Sequence, residues 1–301
     1  MIVSGGVHGQ IEAEAGFSKG YWLIGCNPLA GGSVMKGESL RRVSLTSALG
    51  LILCVALAAG CADDDKNDYR LEEIETRTWP AAGINEIVGI TVNGNVGVEA
   101  SQDTVITCVI TRRCYGKDRA DAENYIGNVV VEDSLAGGIL TITADMPESS
   151  DRNYGADLEI FATEAVHLDL TTVNGNAQAV NTVGGAELTT TNGNTTSENL
   201  EGGLSSLIVN GDATCDLALL ATGESAVLVT TNGNVVLSVP SDVSASFNAQ
   251  TTNGSVRVSG FASVSYSVDE PNHKSGTIGS LPSLATITIT IVNGDATIEA
   301  R

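Results

Sequence analysis

The side chains able to do chemistry in this 301-residue chain are few and scattered. From residue 156 onward the basic residues are Arg257, Lys274 and Arg301, joined by His167 and His273. An enzyme acting on acidic polysaccharides needs a basic or acidic catalytic group beside its substrate groove, and none of these recurs at a regular spacing beside acids. His167 sits in Val166-His167-Leu168-Asp169, which reads as an outward position on a strand. His273 lies in a Pro-Asn-His-Lys loop and reads as solvated. Asp212 and Asp295 each follow an Asn-Gly pair, but calcium takes six to eight oxygens from several clustered acids. The G-G-x-G-x-D calcium repeat and a phosphate loop are both absent from the sequence. Cys108, Cys114 and Cys215 have no nearby His, which argues against zinc. Phe247, Phe261 and Tyr266 read as core or caps rather than a sugar-stacking platform. The expectation is no catalytic residue, no metal and no cofactor.

Cys61 carries a different chemistry. Lys36, Arg41 and Arg42 precede an apolar run from Val43 to Ala59, then Gly60-Cys61 and three aspartates, Asp63 to Asp65. A basic start, a short apolar core and small residues before the cut mark a secretory signal. The run is too short, and too soon followed by acids, for a spanning helix. Leu57-Ala58-Ala59-Gly60-Cys61 resembles a bacterial lipobox, which implies that Cys61 is acylated and becomes the mature N-terminus. The organisation expected is an upstream extension at 1–34, a lipoprotein signal peptide at 35–60 and an acidic tether at 61–70. A β-rich body fills 71–301. Ala62 after the Cys favours the outer membrane if the envelope is Gram-negative. The partners expected are the membrane, through the lipid, and an envelope protein or glycan. A net charge of −21 repels phosphate backbones and argues against nucleic acid.

The elements that would position anything in the body follow from a repeat. Asn-Gly occurs at Asn93-Gly94, Asn174-Gly175, Asn192-Gly193, Asn210-Gly211, Asn232-Gly233, Asn253-Gly254 and Asn293-Gly294. Successive separations are 81, 18, 18, 22, 21 and 40, so one unit is 18–22 residues. Each pair continues as N-G-[NDS]-[VAT], and both Asn and Gly accept positive φ at low cost. Flanking residues alternate, as in Ile90-Thr91-Val92, which is a strand signal. Gly184-Gly185, Gly202-Gly203 and Gly223 bend the chain midway, dividing units into two strand-length halves. Aromatics are only 4 %, so the core must come from stacked aliphatic and small residues.

Two architectures fit. Asn-Gly is a strong hairpin signal, giving a meander or barrel. The repeat of one corner favours a right-handed β-solenoid with ~20-residue coils, in which equivalent corners stack about 4.8 Å apart. Asn side chains would then bond along the stack, and Thr runs such as Thr189–Thr191 would form similar ladders. Residues 71–162 are less regular, with a charged insertion at 112–123 and a loop at 146–155. They read as first coils or as a separate β-domain, and any binding site is expected in those two loops or on a lateral face. Helical periodicity is confined to Arg119–Tyr125. A Cys108–Cys114 disulfide would require a turn at Arg112-Arg113, because six extended residues span roughly 20 Å.

The recurring T-x-N-G-[ND]-V, with Leu237-Ser238-Val239-Pro240-Ser241-Asp242 and Thr251-Thr252-Asn253-Gly254-Ser255-Val256, resembles the DUF4097 family of bacterial adhesin-like proteins. Gly276-Thr277-Ile278-Gly279 and Ile291-Val292-Asn293-Gly294-Asp295 add to the likeness. The related head-GIN adhesins share the style, Ala82-Gly83-Ile84-Asn85 resembling their name motif. The resemblance covers about Ile84 to Arg301 and implies a right-handed solenoid at the cell envelope, with no functional residues to carry over. The function expected is a non-catalytic structural or adhesive role. The alternatives are a polysaccharide lyase or hydrolase and an envelope sensor or assembly accessory.

Overall fold

Segments such as Ser225-Ala226-Val227-Leu228-Val229-Thr230 bury every second residue, Ala226, Leu228 and Thr230, and send the others outward. That period of two makes a strand with one face on a core. The computed structural model describes residues 69–147, 152–280 and 285–301. The expected extension, signal peptide and Cys61 lie outside the described residues, as does most of the tether.

The first strands are β1 (Tyr69–Pro80), β2 (Glu86–Ile90), β3 (Val96–Ala100) and β4 (Val105–Gly116). A short helix α1 (Arg119–Tyr125) and a 3-10 turn (Ile126–Asn128) precede β5 (Val130–Ala136), β6 (Ile139–Asp145) and β7 (Tyr154–Ala162). Then come β8 (His167–Asn174), β9 (Ala177–Val180), β10 (Ala186–Asn192), β11 (Thr195–Glu201), β12 (Leu204–Asn210) and β13 (Ala213–Leu219). The remainder are β14 (Ser225–Asn232), β15 (Val235–Val239), β16 (Ala245–Asn253), β17 (Val256–Ser259), β18 (Val264–Glu270), β19 (His273–Ile278), β20 (Ala285–Asn293) and β21 (Ala296–Ala300).

These strands form two mixed sheets. The ten-stranded sheet runs β1-β4-β7-β3-β9-β11-β13-β15-β21-β17, and the eleven-stranded sheet runs β18-β19-β16-β20-β14-β12-β10-β8-β2-β6-β5. At every Asn-Gly the chain passes from the eleven-stranded to the ten-stranded sheet, so none of the seven turns closes a hairpin. The bends at Gly185, Gly202 and Gly223, all at positive φ, return it. Neighbours between β6 and β16 in one sheet, and between β7 and β17 in the other, are parallel. Parallel pairing keeps identical positions in register: Asn174, Asn192, Asn210 and Asn232 are direct cross-strand partners in turn.

Spatial order departs from chain order at both ends. Strand β20 lies between β14 and β16, and β2 lies between β6 and β8. The 40-residue gap between Asn253 and Asn293 is therefore not two coils in sequence. It holds the antiparallel β18–β19 hairpin, which covers β16, before the chain goes back to fill the place beside β14.

The core lies between the sheets and is aliphatic. One row crosses the eleven-stranded sheet as Leu140, Ile87, Leu168, Ala186, Leu204, Ala226, Ile287 and Phe247, all buried. Large and small residues alternate along part of it, which lets the facing layer interdigitate. Fully burying one such aliphatic side chain contributes roughly 1.5–3 kcal/mol, so this core outweighs any single polar contact.

The less regular region differs from expectation in its details. Arg112 and Arg113 continue strand β4 instead of starting a loop, and β4 pairs antiparallel with both β1 and β7. With no turn there, Cys108 and Cys114 stay far apart on one strand, as buried free thiols. Helix α1 occupies the segment with helical periodicity, its Asp118 side chain accepting from the Asp121 backbone N–H at 2.9 Å. The expected loop at 146–155 falls partly outside the described residues, but Tyr154 and Gly155 begin β7. The first described strand, β1, begins at Tyr69.

Candidate functional site

The most ordered polar array is the corner built by the Asn-Gly turns. In stack order its asparagines are Asn93, Asn174, Asn192, Asn210, Asn232, Asn293 and Asn253. Each Nδ2 from Asn174 onward donates to Oδ1 of the preceding Asn, at 2.7–2.9 Å, in one unbroken ladder. A second ladder runs two residues later. The backbone N–H groups of Asn95, Asn176, Asn194, Asp212, Asn234, Asp295 and Ser255 each donate to the Oδ1 one strand before, starting from Asp157, at 2.6–3.0 Å. A third set lies inside. Thr91, Thr172, Thr190, Thr230 and Thr251 donate Oγ1–H at 2.8–3.3 Å to the carbonyl of the stacked glycine, or of Ala156 where that position starts the row.

The glycines answer to a different need than their asparagines. A Cβ on any of the seven would lie 1.8–2.0 Å from a backbone oxygen, that of Ala156 in β7 for Gly94 and of the neighbouring turn glycine for the other six. Five of them also hold φ between +142° and +156°. None of the seven asparagines has positive φ; each ends a strand or sits beside one. Asn is there for its carboxamide, which both donates and accepts along the stack, and Gly for the space.

Asp212 and Asp295 are therefore ladder members. Each accepts from the next backbone N–H, which accounts for their recurrence after Asn-Gly without a metal. Among the described residues, no group of three or more His, Cys, Asp and Glu is placed to hold a metal ion.

An acidic row missed in the sequence crosses the outer face of the eleven-stranded sheet. Asp169 pairs directly with Glu187, and Glu86 with His167. Burial, then the charges of Glu187 and Glu86, pushes the Asp169 carboxyl above its usual range. The separation of Asp169 and Glu187 equals one 18-residue repeat unit, a signal available in the sequence. The row lies flat on a sheet whose outward positions in that line include Thr141, Val88, Ser205, Val227, Thr288 and Asn248.

The other candidates have structural partners. His167 Nδ1 lies 3.1 Å from the Gly184 carbonyl oxygen. His273 starts strand β19, not a loop, and its Nε2 lies 2.9 Å from Asn248 Oδ1. Phe247 is buried and meets Tyr266 edge to face at 5.9 Å, while Phe261 packs partly buried on the core. Burial raises the thiols, Cys108 to about 12 and Cys215 to about 11, so neither is a nucleophile at neutral pH.

One cluster of charges gathers where edge strands β1 and β5 meet. Arg77 bridges Glu75 and Asp133 at 2.7 Å each, and Trp79 Nε1 donates to Asp133 at 3.0 Å. Arg112 reaches Glu73 at 3.1 Å, and Arg113 forks onto Asp157. Inward-turned charges at the rim keep these edges from pairing with another chain. The bond from Arg77 holds the Glu75 carboxyl below the usual carboxylate range.

No protein-family profile and no curated protein matches the chain. Solved structures give distant likenesses. A chain from Clostridium sporogenes described as a putative cell adhesion protein is 11% identical, with a TM-score of 0.44, over 77% of this chain and 100% of that one. A chain from Bacteroides fragilis described as a putative adhesin is 13% identical, with a TM-score of 0.23, over 76% and 97%. One from Parabacteroides distasonis described as a putative lipid binding protein is 11% identical, with a TM-score of 0.26, over 76% and 97%. Likenesses this distant identify neither the ligand nor the activity of this chain.

Proposed function

We propose that the body is a right-handed β-solenoid and that the chain is a lipid-anchored cell-envelope protein with a structural or adhesive, non-catalytic role. This is the role the DUF4097 resemblance implies. The observation that carries the reading is the turn pattern. Every Asn-Gly moves the chain between two sheets of in-register parallel strands, and its carboxamide joins one continuous ladder. A corner so fully self-bonded is a scaffold, and it leaves the lateral faces for contact with a glycan or envelope protein. The titratable groups support the same reading, because His167 and His273 are bonded to the Gly184 carbonyl and the Asn248 side chain, and the acids of the corner to backbone N–H.

Two measurements test it. In cells fed a clickable fatty acid, the chain is expected to take up label, and Cys61→Ser to lose it. On an array of envelope polysaccharides, the purified body is expected to bind without shortening them. Cleavage products from any of these would replace the adhesive reading with the lyase or hydrolase one.

A further inference from the structure

The Asn ladder has a direction, and its two ends are unlike. Six of the seven turn glycines donate their backbone N–H to the Asn carbonyl of the next turn. Gly94 donates to Asn174, Gly175 to Asn192, Gly193 to Asn210, Gly211 to Asn232, Gly233 to Asn293 and Gly294 to Asn253, at 2.9–3.0 Å. Gly254 belongs to the last turn, where no further turn follows, and among the described residues its N–H has no acceptor. The β18–β19 hairpin does not supply one. It pairs with β16 only as far as Gln250, and Asn272 then takes the N–H of Thr251. Gly254 is also the one exposed glycine of the seven; the others are buried or half-buried. The carboxamide beside it is held from one side only, Asn253 Nδ2 donating to Asn293 Oδ1 at 2.8 Å.

Asn-Gly is the dipeptide most open to intramolecular attack by the following backbone nitrogen, because glycine puts no side chain in the way. We propose that Asn253-Gly254 is a site of spontaneous deamidation and that the fold protects the other six pairs. The Gly254 nitrogen attacks Asn253 Cγ and forms the N–Cγ bond of a succinimide. The proton of the attacking N–H passes through solvent to Nδ2, the Cγ–Nδ2 bond breaks and ammonia leaves. Water then opens the ring at either carbonyl, leaving aspartate or isoaspartate. At the six inner turns the attacking N–H is already committed to a carbonyl, so the corner must open before reaction. Opening adds to the barrier there and not at Gly254. The product places a carboxylate against the Asn293 Oδ1 to which the carboxamide had donated and, as isoaspartate, a longer backbone at the end of the ladder.

The test is peptide mapping by mass spectrometry of the full chain aged at mildly alkaline pH, with folding verified by circular dichroism. A parallel sample is aged in denaturant. In the folded chain, conversion at Asn253 is expected to be at least about tenfold faster than at any other Asn-Gly, the factor one held hydrogen bond supplies. In denaturant all seven should convert at similar rates. Asn253→Ser should remove the modified peptide and leave the slow background at the other six unchanged. Equal rates at all seven sites in the folded chain, or no faster conversion at Asn253 than elsewhere, would overturn the proposal.

Discussion

At the scale of residues, the turn glycines carry the tightest constraint in the molecule. At Gly193 a Cβ would sit 1.9 Å from the Gly175 carbonyl oxygen, and both atoms belong to backbone fixed by parallel pairing. Gly193→Ala is therefore expected to destabilise the chain by about 3 kcal/mol, near the upper end for overpacking. Gly127→Ala meets nothing within 4 Å and has no positive φ, and should be close to neutral. Urea unfolding of the two variants checks both. Asp169 gives a prediction with a pH signature. Its folded pKa is raised above the ordinary 3.8, so its protonated form is the one the fold prefers. That preference is fully present below the unfolded pKa and is lost as pH rises through the folded one. Asp169→Asn should thus be more stable than the parent at neutral pH, within the roughly 0.2–1 kcal/mol of a cross-strand pair. The gain should vanish in acid. Melting temperatures across the pH range decide it, and a gain that persists in acid would contradict the assignment.

At the scale of elements, the important feature is where the last two strands go. β20 pairs on one side with β14 and on the other with β16, and β21 likewise joins β15 to β17. Deleting residues 285–301 removes the bridge between the strands up to β15 and the segment β16–β19. Hydrogen exchange on the truncated chain should show protection lost throughout 245–278 while β8–β12 stay protected, as nearest-neighbour coupling in a stacked repeat requires. Protection retained in β16 would mean that this segment docks on β14 by itself. Alternation and turn spacing announced the strands, the bends between them and the short helix. The insertion of β20 was not legible, because a separation of 40 residues reads equally as two coils or as one coil plus a hairpin. The charged insertion at 112–123 likewise reads as a loop from its charge, yet 112–116 is strand and 119–123 is helix. Arg112 and Arg113 are strand residues whose charge is met by Glu73 and Asp157 from neighbouring strands.

At the scale of the whole molecule, stability and solubility come from different residues. The aliphatic rows between the sheets supply the burial. The ladders contribute about 0.5–1.5 kcal/mol per bond and hold one register against the one-step slip that would turn the core outward. The charge of −21 keeps exposed strand edges apart in solution. Light scattering should accordingly find association rising as pH falls toward the pI near 4.3, with the circular dichroism of strands retained. Solubility unchanged through that range would show that the edges are guarded by geometry alone. The sequence by itself determined the strand period, the seven equivalent corners and the self-bonding of their asparagines, because these depend on local alternation and on residues recurring at one spacing. Only the tertiary structure decided the order in which the strands stack, the approach of Glu86 to Asp169 and the unlike ends of the ladder. Those depend on which strands become neighbours, and strand neighbours are set by packing between segments far apart in the chain.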